Sequence, residues 1–162
     1  MPFHWPGAVH RSSTATHALS AVALSALLMA SAMKHFRDPG FFRQVVPDYL
    51  CRDDGDTPAA GAPPAARPLA VMTREEWIAL SGLVEAGAAV GLLIPATRRA
   101  TATGVAALFG VFVAGHVDAI RRAYGPGGSS TQRAVHTARL PLQVPLILWA
   151  WSLRDAGRRL SR

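Results

Sequence analysis

The chain has a single cysteine, Cys51, in 162 residues. That excludes an intramolecular disulfide, a CxxC redox pair and any thiolate-rich metal centre. Charge is also scarce, at 17% of residues against 50% hydrophobic. No GxSxG, HExxH, Walker or dinucleotide-binding signature is present, which argues against an autonomous hydrolase or nucleotide enzyme. The net charge of +7 invites a nucleic-acid reading. However, the arginines sit mostly at the ends of apolar runs (Arg98, Arg99, Arg121, Arg122, Arg139, Arg154), and no basic stripe interleaved with aromatics appears. Such placement suits lipid headgroups, and nucleic acid is not an expected partner.

What the chain has in abundance is apolar sequence gathered into blocks, at residues 15–33, 77–95, 100–120 and 140–153. About 20 apolar residues of helix cross a hydrocarbon core of about 30 Å. The expectation is an all-α fold, a four-helix transmembrane bundle forming one integral-membrane domain over 1–162, multi-pass in a cell membrane. The first run also resembles a secretory signal ending at Ala30-Ser31-Ala32, but its length and the three apolar runs that follow favour a span. The fourth run is short, so snorkelling Arg139 and Arg154, local thinning or a helical extension must complete it.

Between the first two runs, residues 34–50 alternate Phe36, Phe41, Phe42, Val45, Val46 and Leu50 with charges around a Pro-Gly turn. This is a short amphipathic segment that either lies in the membrane interface or packs on the ends of the bundle. Residues 51–70 are rich in Pro, Ala and Gly and are expected to form a flexible loop, with Cys51 an incidental thiol. Thr73 and Glu76 have capping-box spacing and start the second helix. Pro95 to Arg99 reads as a very short loop that makes the second and third spans an antiparallel hairpin. Gly82 with Ala86, Gly87 with Gly91, and the series Ala102, Ala106, Gly110 and Ala114 are small-residue stripes of the kind that let helices approach in lipid. Residues 121–139, with their Gly-Pro-Gly-Gly cluster, read as a polar loop. Four spans put both termini and the 95–99 loop on one side. Its seven Lys/Arg are packed into short segments and the ten opposite are spread over long loops, so both termini are expected in the cytoplasm.

Glu85 is the one carboxylate deep in an apolar run, about 12 Å into the second span at about 1.5 Å per residue. At that depth it costs roughly 2.5 to 3.5 kcal/mol on insertion scales, so it must face other helices and find a partner or be protonated. His35 at the end of the first span, His116 near the end of the third and Gln143 at the start of the fourth fall in the same leaflet. With Ser81 and Arg139 they are the pocket candidates, and no catalytic residue is assigned. The modest alternative for Glu85 is a hydrogen bond to Ser81, one turn earlier. His35, His116 and Glu85 have the composition of a two-histidine, one-carboxylate site, but they lie on three helices whose mutual distances the sequence does not fix, so no metal is expected. Asp118 pairs most simply with Arg121 or Arg122. Arg139 and Gln143 share a helix face and suit an anionic headgroup, or else Arg139 anchors lipid.

The string HFRDPGFFRQVVP at 35–47, SGLVEAGAAVGLLIPATRR at 81–99 and RLPLQVPLILWAW at 139–151 together resemble the DoxX-like family of small four-helix bacterial membrane proteins. Gly115-His116 stands where that family usually has asparagine, and the loop after Leu50 is longer. The resemblance implies an accessory or quinone-binding subunit of a membrane redox system, with other redox subunits, a second copy and the bilayer as partners. The rival reading is a structural protein acting only through helix packing. A transporter is disfavoured because four short spans show no repeated broken helices.

Overall fold

The computed structural model describes residues 7–52 and 69–155, and side chains within 15–52 and 69–154. The described residues are helical with no strand. Helix α1 spans Gly7–Arg37, a single turn α2 spans Gly40–Arg43, α3 spans Arg74–Leu93, α4 spans Pro95–Ala123 and α5 spans Ser130–Ser152. Short 3-10 turns cover Asp48–Leu50 and Leu153–Asp155. Most of the expected flexible loop lies outside the described residues. Its two ends are tied together where the Arg52 amide donates to Met72 O at 2.8 Å.

Among the described residues, three segments are long and apolar enough to cross a membrane: Ala15–Arg37, Arg74–Leu93 and Pro95–Ala123. Their outward faces are apolar too, with Leu19, Val22, Leu83, Val90 and Val111 each more than half exposed. An apolar exterior on helices of this length points to membrane association. The fourth apolar run does not reach that standard by itself. It is the second half of α5, which starts ten residues earlier than the run because Ser129 and Gln132 form a reciprocal capping box. Much of the stretch expected as a polar loop is therefore helix. The Gly-Pro-Gly-Gly turn at 125–128 is what remains of it.

The chain folds as two helix pairs, α1 on α3 and α4 on α5, joined through the α3–α4 hairpin. That hairpin turns on Ile94 alone. Pro95 cannot extend α3, since it lacks an N–H and clashes with the preceding turn, but it suits the first position of α4. Residues 95–99, expected as a loop, are thus the start of α4. The last carbonyls of α3 are met by side chains from that start: Thr97 Oγ1 donates to Gly91 O and Arg98 Nε to Leu92 O, both at 2.8 Å.

The apolar core joins Leu24 and Leu28 of α1, Ala89 and Leu92 of α3, Val105 and Phe109 of α4 and Ala150 of α5. Ser25 Oγ donates to Ala89 O at 2.7 Å across the first pair, and Trp149 Nε1 to Ser20 Oγ at 2.7 Å from α5 to α1. The small-residue stripes divide. Gly82 and Gly91 are close-approach points, whereas Gly87 and Gly110 have nothing within 4 Å of a built Cβ. Ala102 and Ala106 are buried, and Ala114 is exposed.

Candidate functional site

Glu85 is 3% exposed, one helical turn beyond Ser81. Ser81 does not serve it, because Ser81 Oγ donates to Trp77 O at 2.9 Å. Its partner comes from the neighbouring helix: His35 Nε2 lies 3.5 Å from Glu85 Oε1, with both side chains buried. The other imidazole nitrogen, Nδ1, is 2.9 Å from Ile78 O on α3. A carbonyl only accepts, so Nδ1 carries hydrogen. Nε2 thus faces the carboxyl at ion-pair distance and makes no hydrogen bond among the described residues. Glu85 Oε2 has no hydrogen-bond partner among the described residues.

Two features of the sequence hold this pair. Gly82 lets α1 come close, since a Cβ there would sit 2.9 Å from His35 Cβ. Phe42, carried by the one-turn helix α2, stacks on the imidazole with centroids 3.6 Å apart. Phe41 then meets Phe42 edge-on at 5.1 Å and carries the Arg139 guanidinium 4.1 Å from its ring centroid. The amphipathic segment thus packs on the bundle end, with Phe42 closing over His35.

The other candidates lie nearby but apart from the pair. His116 is buried on α4 and Gln143 on α5, with His116 Nδ1 and Gln143 Oε1 unpartnered among the described residues. The ion-pair partner of Glu85 is His35. No group of three His, Cys, Asp or Glu side chains placed to hold a metal ion occurs among the described residues. Asp118 pairs with Arg122, 2.8 Å away.

A second cluster escaped the sequence reading. Arg74 NH1 donates to the carbonyls of Arg43 and Val46, at 2.8 and 2.6 Å, and NH2 donates to Asp48. Arg122 reaches Gln44 O at 2.7 Å and Asp48 at 3.2 Å. Two guanidiniums from α3 and α4 thereby hold the otherwise unpaired carbonyls of the 43–48 connector. Burial alone raises the Asp48 carboxyl, but Arg74 and Arg122 outweigh it and hold the group below its ordinary value. Cys51, expected as incidental in a polar loop, is buried beside this connector, with Sγ 3.4 Å from Pro47 O. The signal for the cluster was Arg74 and Arg122 at helix ends beside a proline-flanked segment.

A family model described as a domain of unknown function, DUF8561, matches residues 24–154. The chain belongs to the DUF8561 family. This overturns the DoxX-like resemblance: the three strings that suggested it all lie inside the DUF8561 match. No curated protein and no solved structure matches the chain. The DUF8561 match contains His35, Ser81, Glu85, His116, Arg139 and Gln143, so every pocket candidate belongs to the family domain.

Proposed function

We propose that this DUF8561 protein is a multi-pass membrane protein with an accessory, small-molecule-binding role, in which His35 and Glu85 offer a proton to an apolar ligand bearing a carbonyl or hydroxyl. The observation that carries this reading is the pair itself. It is buried, its imidazole tautomer is fixed by Ile78 O, and Glu85 Oε2 is left with acceptor capacity. Ionisable groups at such depth in apolar helices are retained for function more often than not. A lipid-soluble quinone has the required chemistry. The expectation of a redox complex came with the DoxX-like resemblance and falls with it.

In this reading α5 is the fourth crossing. Its outer face carries Leu142, Val144, Leu148 and Trp151, all exposed, as a lipid-facing helix requires. Both termini and the Ile94 turn then share one side, and Arg98, Arg99 and Arg154 near span ends make it the cytoplasmic one. The bilayer is the first partner, and other membrane subunits or a second copy are compatible with the exposed apolar faces.

The test is titration of a soluble short-chain quinone into the purified, detergent-solubilised chain, wild type and Glu85→Gln, followed by tryptophan quenching. Binding by the wild type that weakens about tenfold in the variant, about 1.4 kcal/mol, supports the reading. Equal binding, or none, removes it. A structural reading is favoured by one observation, the Phe42 ring closing the pair from α2. In that case the pair locks α1 to α3, and the variant alters stability alone.

A further inference from the structure

An open cleft of about 580 Å³ lies beside His136, lined by Arg43, Arg74 and Arg122. Those guanidiniums are already answered, by Glu75, Asp48 and Asp118. Arg139 is not. It is half-buried on α5 and makes no ion pair or hydrogen bond among the described residues. What it touches is the Phe41 ring, whose centroid lies 4.1 Å from the guanidinium. Lys34 stands 4.1 Å from the same centroid, but its charge is met by Asp38 at 3.2 Å. A ring quadrupole attracts a cation without neutralising it, so Arg139 keeps an unanswered positive charge.

Arg139 also stands at the head of a seam between α1 and α5, the outer helices of the two pairs, which make little contact with each other. They meet at one end where Trp149 Nε1 donates to Ser20 Oγ at 2.7 Å, and at the other where Lys34 and Arg139 share Phe41. Leu27 lies seven residues from both Ser20 and Lys34, hence on the same face of α1. It is 44% exposed, so the middle of the seam is open. On α5, exposed Leu142 and partly buried Leu146 lie between Arg139 and Trp149. That stretch of ten residues is about 15 Å long at about 1.5 Å per residue, the depth of one leaflet of a hydrocarbon core about 30 Å thick. The seam is apolar along its length and cationic at its head.

We propose that the α1–α5 seam binds an anionic phospholipid, with its phosphate on the Arg139 guanidinium and an acyl chain along Leu27, Leu142 and Leu146. The guanidinium fork donates to two phosphate oxygens at once, and Phe41 supports the fork from its other side. The apolar length below the arginine favours a lipid over a free anion. An anionic headgroup is favoured over a zwitterionic one because choline or ethanolamine brings its own cation, whereas Arg139 has charge left to neutralise. The proposal rests on the reading that α5 crosses the bilayer, which labelling of its two ends tests separately, and is independent of the His35–Glu85 reading.

The test measures the thermal unfolding midpoint of the full chain in a neutral detergent. Separate arms titrate phosphatidylglycerol, phosphatidylcholine, and inorganic phosphate at constant ionic strength. Phosphatidylglycerol should raise the midpoint more than either of the others. Its apparent affinity should fall about tenfold in Arg139→Gln, which loses one charge-assisted contact. It should be unchanged in Arg121→Gln, which removes an exposed arginine at the same end of the bundle. Leu27→Trp fills the open middle of the seam without altering Arg139 or Phe41, and should weaken the same response, so the proposal is decided even where Arg139→Gln does not fold. No response to phosphatidylglycerol, an equal response to phosphatidylcholine or to inorganic phosphate, an equal loss in Arg121→Gln, or a full response in Leu27→Trp overturns it.

Discussion

Replacing Gly82 with alanine is the most direct probe of the helix contact that creates the buried pair. The new Cβ would lie 2.9 Å from His35 Cβ and 3.0 and 3.1 Å from the Phe36 ring edge. Phe36 is half-exposed and its ring can swing away, but His35 Cβ is fixed to the α1 backbone, so the helices must part by several tenths of an ångström. Separation in that direction lengthens the 2.9 Å contact between His35 Nδ1 and Ile78 O. Overpacking costs about 1 to 3 kcal/mol, and the weakened hydrogen bond adds about 0.5 to 1.5 kcal/mol. Against these stands a gain of about 1 kcal/mol from replacing glycine inside a helix. The net expectation is a destabilisation of roughly 0.5 to 3.5 kcal/mol. Gly87 on the same helix is the internal control, because its Cβ position is open, so Gly87→Ala should be neutral or stabilising. Reversible unfolding in mixed micelles, followed by circular dichroism, measures both. If the two variants agree within about 0.5 kcal/mol, a range typical of neutral surface changes, the close approach at Gly82 does not hold the pair.

Glu85→Ala should destabilise the chain by roughly 1 to 3 kcal/mol by removing the carboxyl that His35 Nε2 faces at 3.5 Å. Glu85→Gln, which keeps a donor in reach of Nε2, should cost clearly less in the same unfolding assay, and equal costs would refute the pairing. The Asp48 carboxyl titrates below its ordinary 3.8 in the folded state, so its pairing with Arg74 and Arg122 contributes above that pH and is lost as pH falls through the lower folded value. Asp48→Asn should therefore be less stable than wild type near neutrality, by about 0.2 to 1 kcal/mol for so exposed a group. The two should converge in acid, and a gap that stays constant with pH would disprove the clamp. If α5 crosses the membrane, single cysteines at Gly127 and Ser152 in a Cys51→Ala background should be labelled by an impermeant maleimide from opposite faces of intact vesicles. Labelling from one face refutes the fourth crossing.

Much that is set by short-range sequence was legible. The Thr73–Glu76 capping box is formed as its spacing suggests, and Asp118 finds Arg122 one turn away. The same signal was overlooked at Ser129 and Gln132, where an identical spacing begins α5; reading it would have shortened the presumed loop by ten residues. Pro95 marked the hairpin turn, but its fitness for the first turn of a helix was not used, so α4 starts earlier than expected. For Glu85 the need for a sheltering partner followed from the cost of a carboxylate in lipid, while the partner's identity did not. His35 is fifty residues away in sequence, and the two meet only through the register of α1 against α3, which depends on Gly82 and on side-chain volumes along both helices.

The deeper gap lies in the connector between α1 and α3. Glu85 drew attention because an acid stands out against apolar neighbours, whereas residues 40–51 look like ordinary interfacial sequence. In the fold, that connector touches His35, His136 and the Arg74–Arg122 clamp. Phe42 covers the imidazole of His35, Gln44 fixes the tautomer of His136, and the Gln44 and Val46 carbonyls with the Asp48 carboxylate hold Arg122. Val45 packs so closely on α4 that a Cβ on Gly115 would fall 2.6 Å from its carbonyl oxygen. A segment with so little regular structure cannot hold its shape by its own hydrogen bonds, so Arg74 and Arg122 satisfy its carbonyls from outside. It follows that Gly115→Ala, which pushes backbone against backbone, should disturb both the stacking on His35 and the cleft beside His136. Gly104→Ala, on the same helix with nothing near its Cβ position, should disturb neither. Histidine ring resonances in the two variants would separate these outcomes, and ring shifts left unchanged in Gly115→Ala would show that the connector does not couple the two sites.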